Sequence, residues 1–204
     1  MLLDTERIFR DALMESTAAM GYHLPHAFHL KMVGLPDTDA LLQDFFGPHF
    51  SLTEFRRRLH ELVDARLDDG VPLRAGAIEL LDFLDWHGIP KAVATSSRRP
   101  TTDKNLLKCE ILHRFQVIAT RDDVDRGKPH PDVYLKAAAG LGVPPEKCVA
   151  LEDSHNGIRA AHAAGVRAIM VPDLLQPTAE ISLLCIAVLD DLHQVRRLFD
   201  GGSV

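Results

Sequence analysis

The sequence predicts an α/β protein in which a Rossmann-like parallel sheet, with helices on both faces, is combined with a helical domain. Up to about residue 75 the apolar residues are spaced as on one face of a helix. Beyond that point, short apolar runs of strand length alternate with helical stretches, which is typical of a parallel sheet covered by helices. Polar candidate residues follow three of these strands, at the edge where parallel sheets bind their ligands.

The first part of the chain is predicted to be helical. Residues 5–20 carry apolar side chains at helical spacing. Ser51-Leu52-Thr53-Glu54 matches a capping box and predicts a helix that begins there and continues to about Leu67. Asp68-Asp69-Gly70 ends this helix, and Pro72 prevents it from resuming.

Beyond residue 75 the predicted elements alternate. The predicted strands are residues 91–95, 116–119, 148–151 and 168–171, with a weaker one at 186–189. The predicted helices are residues 77–87, 100–112, 131–141 and 157–164, followed by a C-terminal helix.

The composition excludes some classes of function. The 204 residues are 46% hydrophobic, which is enough for one core of normal size or for one core with a small accessory domain. Lys and Arg number 23 against 29 Asp and Glu, a net charge of −6, and no long basic run is present. Because a phosphate backbone is bound by clustered Lys and Arg, nucleic acid is not expected as a partner. The short run Arg56-Arg57-Arg58 is interpreted as a solvated helix face.

The cysteines and the apolar segments predict a cytoplasmic protein without a membrane span. Cys109, Cys148 and Cys185 lack zinc-site spacing and are expected to be buried, reduced thiols. The N-terminus has no apolar run of signal-peptide length. No segment approaches the roughly 20 apolar residues that span a bilayer.

The pair Glu152-Asp153 directly follows a predicted strand and is a candidate metal site. Adjacent carboxylates repel each other, and Mg²⁺ is bound in proteins by one or two carboxylates together with phosphate and water. The alternative is that the pair only stabilises the start of the next helix, with Ser154 as its N-cap.

Two further segments are candidates for binding a phosphoryl group. Lys128, between Gly127 and Pro129, would present a compact positive charge from a stiff loop, although Gly-Lys-Pro is also an ordinary turn. Thr95-Ser96-Ser97 follows a strand and offers hydroxyls and backbone N–H groups to an anion. Its alternative role is to cap the helix that follows.

Together these segments resemble the haloacid-dehalogenase-like (HAD) phosphohydrolases, specifically the capped phosphatase and phosphomutase branch that includes β-phosphoglucomutase-like proteins. The resemblance extends over essentially the whole chain. It implies that Thr95, with the Ser96 backbone, binds the transferring phosphoryl group. It also implies that Lys128 orients this group and that Glu152 and Asp153 hold Mg²⁺.

The resemblance also implies a domain organisation and a substrate class. Residues 1–10 and 74–204 would form the core, and residues 11–73 an inserted α-helical cap domain. The segment Lys31-Met32-Val33-Gly34 resembles a cap segment that faces the substrate, so that Lys31 is a candidate substrate-binding residue. A small phosphorylated metabolite, either a sugar phosphate or a nucleoside monophosphate, is the expected substrate of a monomer or homodimer.

The first motif of this family, Asp-x-Asp-Gly, does not occur in the sequence. In the family its first Asp attacks phosphorus to form an aspartyl-phosphate, and its second Asp is the general acid and base. Met1-Leu2-Leu3-Asp4 resembles the stretch just after this motif, and Asp4 is expected to cap a helix and not to attack the substrate. Asp122 and Asp123 are expected to have a loop role.

Two explanations of the missing motif are left open. We favour a sequence truncated at its N-terminus, because functional loss by drift would not be expected to end at a motif boundary. The truncation would also remove the central first strand and leave two unpaired strand edges, which favours strand exchange. The other explanation is a non-catalytic phosphate-binding pseudoenzyme. The main functional hypothesis is an Mg²⁺-dependent phosphatase, and a hexose-phosphate phosphomutase is the enzymatic alternative; the chain as given is expected to show negligible turnover.

Overall fold

The computed structural model describes residues 1–33, 35, 38–68 and 70–202. The chain divides into a helical unit, Leu3–Pro72, and an α/β unit, Met1–Leu2 with Leu73–Val204. The first helix, Thr5–Ala19 (α1), runs through residue 10 without a break. Residues 3–10 therefore group with the helical unit, whereas the sequence predicted that they belong to the core.

The helical unit contains four helices in its described part. These are α1, α2 (His26–Met32), α3 (Asp39–Phe46) and α4 (Leu52–Asp68). One apolar cluster joins α1 to α4 through Ala12, Val63 and Leu67. A second cluster is built around buried Leu42 and Phe50 and includes the ring of Tyr22, whose centroid is 5.1 Å from that of Phe50.

The start of α4 follows the prediction from its sequence. Ser51 Oγ accepts a hydrogen bond from the backbone N–H of Glu54 at 3.3 Å. The carboxylate of Glu54 is bound by the guanidinium groups of Arg57 and Arg58, and the hydrogen bond from Arg57 is the main cause that lowers the Glu54 pKa to about 2. About half of the Arg57 side chain is exposed, in agreement with a solvated helix face.

His29 is a buried histidine in the helical unit. Its side chain is 5% exposed, and in the described part of the chain its Nδ1 has no hydrogen-bond partner. Burial is the main cause that lowers the His29 pKa, and the neighbouring His26 and Arg10 lower it further, whereas Asp11 acts in the opposite direction. The neutral imidazole is therefore the form that the folded unit favours.

The α/β unit alternates strands and helices as predicted. The elements are α5 (Ala77–Trp86), β1 (Ala92–Ala94), α6 (Arg99–Lys108), β2 (Val117–Ala119), α7 (Asp132–Leu141), β3 (Val149–Glu152), α8 (His155–Ala163), β4 (Arg167–Met170), α9 (Ala179–Leu184), β5 (Cys185–Val188) and α10 (Leu192–Asp200). Short 3-10 helices cover residues 112–114, 121–123 and 145–147. Helix α9 was not predicted.

One predicted helix ends earlier than expected. Helix α6 ends at Lys108 and not at residue 112, because Glu110 adopts the left-handed backbone conformation, with φ of 57°. The N–H of Ile111 then bonds the carbonyl of Leu106 at 3.0 Å, which closes the helix with a Schellman-type pattern.

All strand pairs in the described residues are parallel, and they form two sheets. One sheet has the order β1-β2, and the other has the order β3-β4-β5. Within the described chain, β1 and β3 each have one edge without a paired strand.

Helices cover both faces of the three-stranded sheet. Successive side chains of β4 point to opposite faces, as in any strand. Ala168 and Met170 belong to the core cluster that includes residues of α7 and α8. Ile169 belongs to the opposite cluster, with residues of α5 and α10. Since apolar clusters cover both faces of the sheet, polar side chains can lie at the carboxyl ends of its strands.

Candidate active site

Lys128 brings the carboxyl ends of the two sheets together. Its Nζ donates a hydrogen bond to the carbonyl of Ala94, the last residue of β1, at 3.1 Å. The same ammonium forms an ion pair with Glu152, the last residue of β3. Since Thr95 directly follows Ala94, the structure places Lys128, Thr95 and Glu152 at one edge of the α/β unit.

Glu152 is 4% exposed, and hydrogen-bond donors surround both of its carboxylate oxygens. Oε1 accepts from Lys128 Nζ and, at 2.5 Å, from the hydroxyl of Tyr134. Oε2 accepts from the backbone N–H of Asp153 at 3.2 Å and from Oγ of Ser154 at 3.1 Å. Both carboxylate oxygens of Glu152 are thus hydrogen-bonded, and the charge is paired with Lys128. This agrees with the rule that a buried charge must be paired and hydrogen-bonded.

The start of α8 creates the space for this carboxylate. Ser154 is the N-cap of α8, and its Oγ accepts a hydrogen bond from the N–H of Gly157 at 3.0 Å. A Cβ at position 157 would overlap the Glu152 carboxyl group, so only glycine leaves the necessary room. The N-cap role considered for Ser154 in the sequence is therefore confirmed.

Asp153 lies close to two positively charged groups. Its Oδ2 is 2.9 Å from the amino nitrogen of Met1 and 3.4 Å from Nη1 of Arg74. Burial alone would raise the pKa of Asp153, but the amino group of Met1 and the guanidinium of Arg74 outweigh it and keep this pKa below its usual value. Arg74 also lies 3.7 Å from the carboxylate of Asp173.

The loop after β1 is shaped by its own hydrogen bonds. Thr95 Oγ1 accepts from the N–H of Ser97 at 3.1 Å, and the Ser96 side chain is exposed. Asp122 accepts from the N–H of Arg99 at 2.9 Å, which ties this loop to the one after β2. Asp122 thus has the loop role predicted for it.

Asp123 also has the loop role that the sequence predicted. It closes a capping box with Thr120, whose Oγ1 donates to Asp123 Oδ2 at 2.6 Å. The hydrogen bonds from Thr120 are the main cause that lowers the Asp123 pKa.

Lys31 belongs to the other unit. It lies in α2, and its side chain is exposed. Gly34, the last residue of the segment predicted to face the substrate, lies outside the described residues. Lys31 stays a predicted substrate contact.

Two residues of this site, Tyr134 and Arg74, were not predicted from the sequence. Tyr134 is 8% exposed, and burial together with the charge of Glu152 raises its pKa well above the usual value, so that its hydroxyl keeps the proton. A buried tyrosine usually needs a hydrogen-bond partner for its hydroxyl. The position of Tyr134 on the apolar face of an Ala- and Leu-rich helix could therefore have indicated a polar contact. Arg74 gave no such signal, because its contacts come from residues about 80 and 100 positions away along the chain.

The donor set fits Mg²⁺ through Asp153 better than through Glu152. No group of three or more His, Cys, Asp or Glu side chains with metal-site geometry is found in the described ranges. Both oxygens of Glu152 already accept hydrogen bonds, whereas Asp153 meets the charged groups of Met1 and Arg74 through Oδ2. Mg²⁺ often keeps several waters and takes only one or two carboxylates, so a single carboxylate is compatible with it.

Comparisons with known proteins identify relatives of this chain. The family described as haloacid dehalogenase-like hydrolase matches residues 1–171. The phosphorylated carbohydrates phosphatase of Thermotoga maritima is 30% identical over 171 residues, which cover 83% of this chain and 79% of that enzyme. Hexitol phosphatase B of Escherichia coli is 32% identical over 178 residues, covering 84% and 79%.

A solved structure shows the same fold. CbbY from Rhodobacter sphaeroides, in complex with phosphate, superposes with a TM-score of 0.76 at 30% identity, covering 95% of this chain and 91% of CbbY. The predicted α/β fold is therefore confirmed. Among the residues that the structure describes, no helix has both the length and the apolar character needed to cross a bilayer.

Proposed function

The chain belongs to the haloacid dehalogenase-like hydrolases, and we propose that its α/β unit is the phosphate- and Mg²⁺-binding part of a phosphatase for small phosphorylated metabolites. The observation that carries the proposal is the position of Lys128. Its ammonium is buried beside the end of β1, next to a loop of hydroxyls and backbone N–H groups, and is paired with one carboxylate. A fixed positive charge next to a loop that carries hydroxyl groups favours a phosphoryl group over a neutral ligand.

Each residue of the site would have a separate task. The hydroxyl of Thr95 and the backbone N–H of Ser96 would donate to phosphoryl oxygens. Lys128 would neutralise negative charge on the same group, and Glu152 would keep the ammonium in place. Asp153 would hold Mg²⁺, which supplies further positive charge to the phosphoryl oxygens when it is bound.

The names of two relatives support a choice of substrate class. One of them is named as a phosphatase of phosphorylated carbohydrates, another as a hexitol phosphatase. We therefore propose a phosphorylated sugar or sugar alcohol as the metabolite. Because the sequence contains no Asp-x-Asp-Gly motif, we expect this chain to bind phosphate without measurable turnover.

Isothermal titration calorimetry with inorganic phosphate, with and without Mg²⁺, tests the proposal. We expect Mg²⁺ to strengthen phosphate binding and Asp153→Asn to remove this effect, while leaving the binding that occurs without metal. Asp173→Asn is the matched control, since it removes the other carboxylate near Arg74 and should preserve the Mg²⁺ effect. A phosphate affinity that Mg²⁺ leaves unchanged, or an equal loss in both variants, would contradict the proposal.

The same samples can be assayed for phosphate release from a panel of sugar phosphates. Release by the chain itself would show that hydrolysis proceeds without the family's first motif. The expectation of binding without turnover would then be wrong, whereas the proposed phosphate site would remain supported.

A further inference from the structure

Tyr134 lies against both members of the buried Lys128–Glu152 pair. Its hydroxyl donates to Glu152 Oε1 at 2.5 Å and is 3.4 Å from Lys128 Nζ. The same ammonium is 4.9 Å from the centroid of the tyrosine ring, within the range of a cation–π contact. One side chain thus contacts the anion through its hydroxyl and the cation through its ring.

The ion pair needs such support because it is removed from water. The Lys128 and Glu152 side chains are 9% and 6% exposed. Attraction between two buried charges repays their lost hydration only if further hydrogen bonds satisfy the remaining lone pairs and protons. On Glu152 Oε1, Tyr134 supplies the donor that accompanies Lys128 in the described structure.

Without that hydroxyl the two oxygens of the Glu152 carboxylate would be held unequally. Oε2 would still be held by Ser154 and by the backbone N–H of Asp153. Oε1 would follow the ammonium alone, and the ammonium could then move away from the carbonyl of Ala94 and the loop that follows it.

We propose that Tyr134 is a positioning residue that fixes the Lys128 ammonium beside the loop after β1 by holding Glu152 with its hydroxyl and contacting the ammonium with its ring. The proposal rests on the proposed function, in which Lys128 meets the phosphoryl group. Tyr134 acts through Lys128 and Glu152, and it is not assigned a contact with the substrate.

Phosphate binding to Tyr134→Phe is the first test. The substitution keeps the ring under the ammonium and removes only the hydroxyl, so we expect the dissociation constant for inorganic phosphate, with Mg²⁺ present, to rise about tenfold. Tyr134→Leu, which also removes the ring, should weaken binding further. The matched control is Tyr22→Phe, which removes the hydroxyl of the chain's other tyrosine in the helical unit and should leave the constant unchanged.

The accessibility of Lys128 to acylation is the second test and does not depend on ligand binding. Limited treatment with acetic anhydride, followed by mass spectrometry of peptides, gives the modification rate of each lysine. Lys91 is an internal control, because it is 6% exposed and paired with Asp85 ahead of β1. Tyr134→Phe should raise the rate at Lys128 severalfold and leave that at Lys91 unchanged.

The outcomes separate the inference from the function on which it rests. Unchanged phosphate binding and an unchanged Lys128 rate in Tyr134→Phe would overturn the positioning role. Equal increases at Lys128 and Lys91 would also overturn it, because they indicate general loosening of the unit. If the unsubstituted chain binds no phosphate, the proposed function fails, and the Lys128-to-Lys91 ratio alone decides whether Tyr134 holds the ammonium.

Discussion

Replacing Gly157 with alanine tests the packing around Glu152. A Cβ at this position would lie closer than 3.0 Å to the carboxyl group, a separation that real Cβ atoms essentially never show. The contacting atoms belong to a carboxylate that is held by Lys128, Tyr134 and Ser154. The alanine therefore requires the carboxylate to leave its place.

The expected loss of stability is the difference between two opposing effects. Breaking a buried ion pair costs about 3–5 kcal/mol. Alanine is favoured over glycine within a helix by about 1 kcal/mol. For Gly157→Ala we therefore expect the free energy of unfolding to fall by about 2–4 kcal/mol, a large share of the about 5–15 kcal/mol that stabilises a typical protein.

Urea unfolding followed by far-ultraviolet circular dichroism measures this loss. A double-mutant cycle with Glu152→Asp identifies its cause, since the shorter side chain withdraws the carboxylate from position 157. In that background Gly157→Ala should cost less than about 1 kcal/mol or stabilise the protein. Gly127→Ala is the control, because the three atoms nearest to its Cβ all belong to the flexible side chain of Arg121, the closest at 3.2 Å. An equal loss for Gly157→Ala in both backgrounds would refute the explanation.

Three further predictions concern other parts of the chain. Because folding lowers the His29 pKa, the stability that depends on neutral His29 is fully present above the unfolded pKa of about 6.5 and is lost as the pH falls through the folded pKa. Urea unfolding at several pH values should therefore show a weaker loss of stability in acid for His29→Leu than for the unsubstituted chain. The exposed control His49→Leu should keep the acid dependence of the unsubstituted chain. Gly140→Ala would place a Cβ 2.8 Å from Val117 Cγ1, so we expect the free energy of unfolding to fall by about 1–3 kcal/mol. The fall should be smaller in a Val117→Ala background, and an equal fall with Val or Ala at position 117 would contradict this explanation. Gly76 has φ of 83°, and its Cβ would lie 2.6 Å from the backbone nitrogen of His193, so Gly76→Ala should lower the thermal midpoint by several degrees, with an unchanged midpoint as the contrary result.

The sequence was sufficient for those features that depend on local pattern. Strands β1 to β5 were located because runs such as Cys148-Val149-Ala150-Leu151 are short, apolar and flanked by helical stretches. The shared edge of Lys128, Thr95 and Glu152 followed from the rule for parallel sheets, and contacts of Lys128 with both strand ends agree with it.

Features that depend on contacts between distant positions could not be predicted. Glu152 and Asp153 are adjacent and chemically similar in the sequence, but one meets Tyr134 and the other meets Arg74. Helix α9 has only six residues, too few to show a helical period.

The contact of Lys128 with the carbonyl of Ala94 has a thermodynamic consequence. A lysine ammonium has three hydrogens, and in this structure one of them satisfies a backbone carbonyl at the end of β1 while another binds the end of β3. The ammonium that the proposed function assigns to the phosphoryl group is therefore also a link between the two sheets. A change that loosens this junction should displace the ammonium and weaken phosphate binding, and by linkage phosphate binding should in turn stabilise the junction.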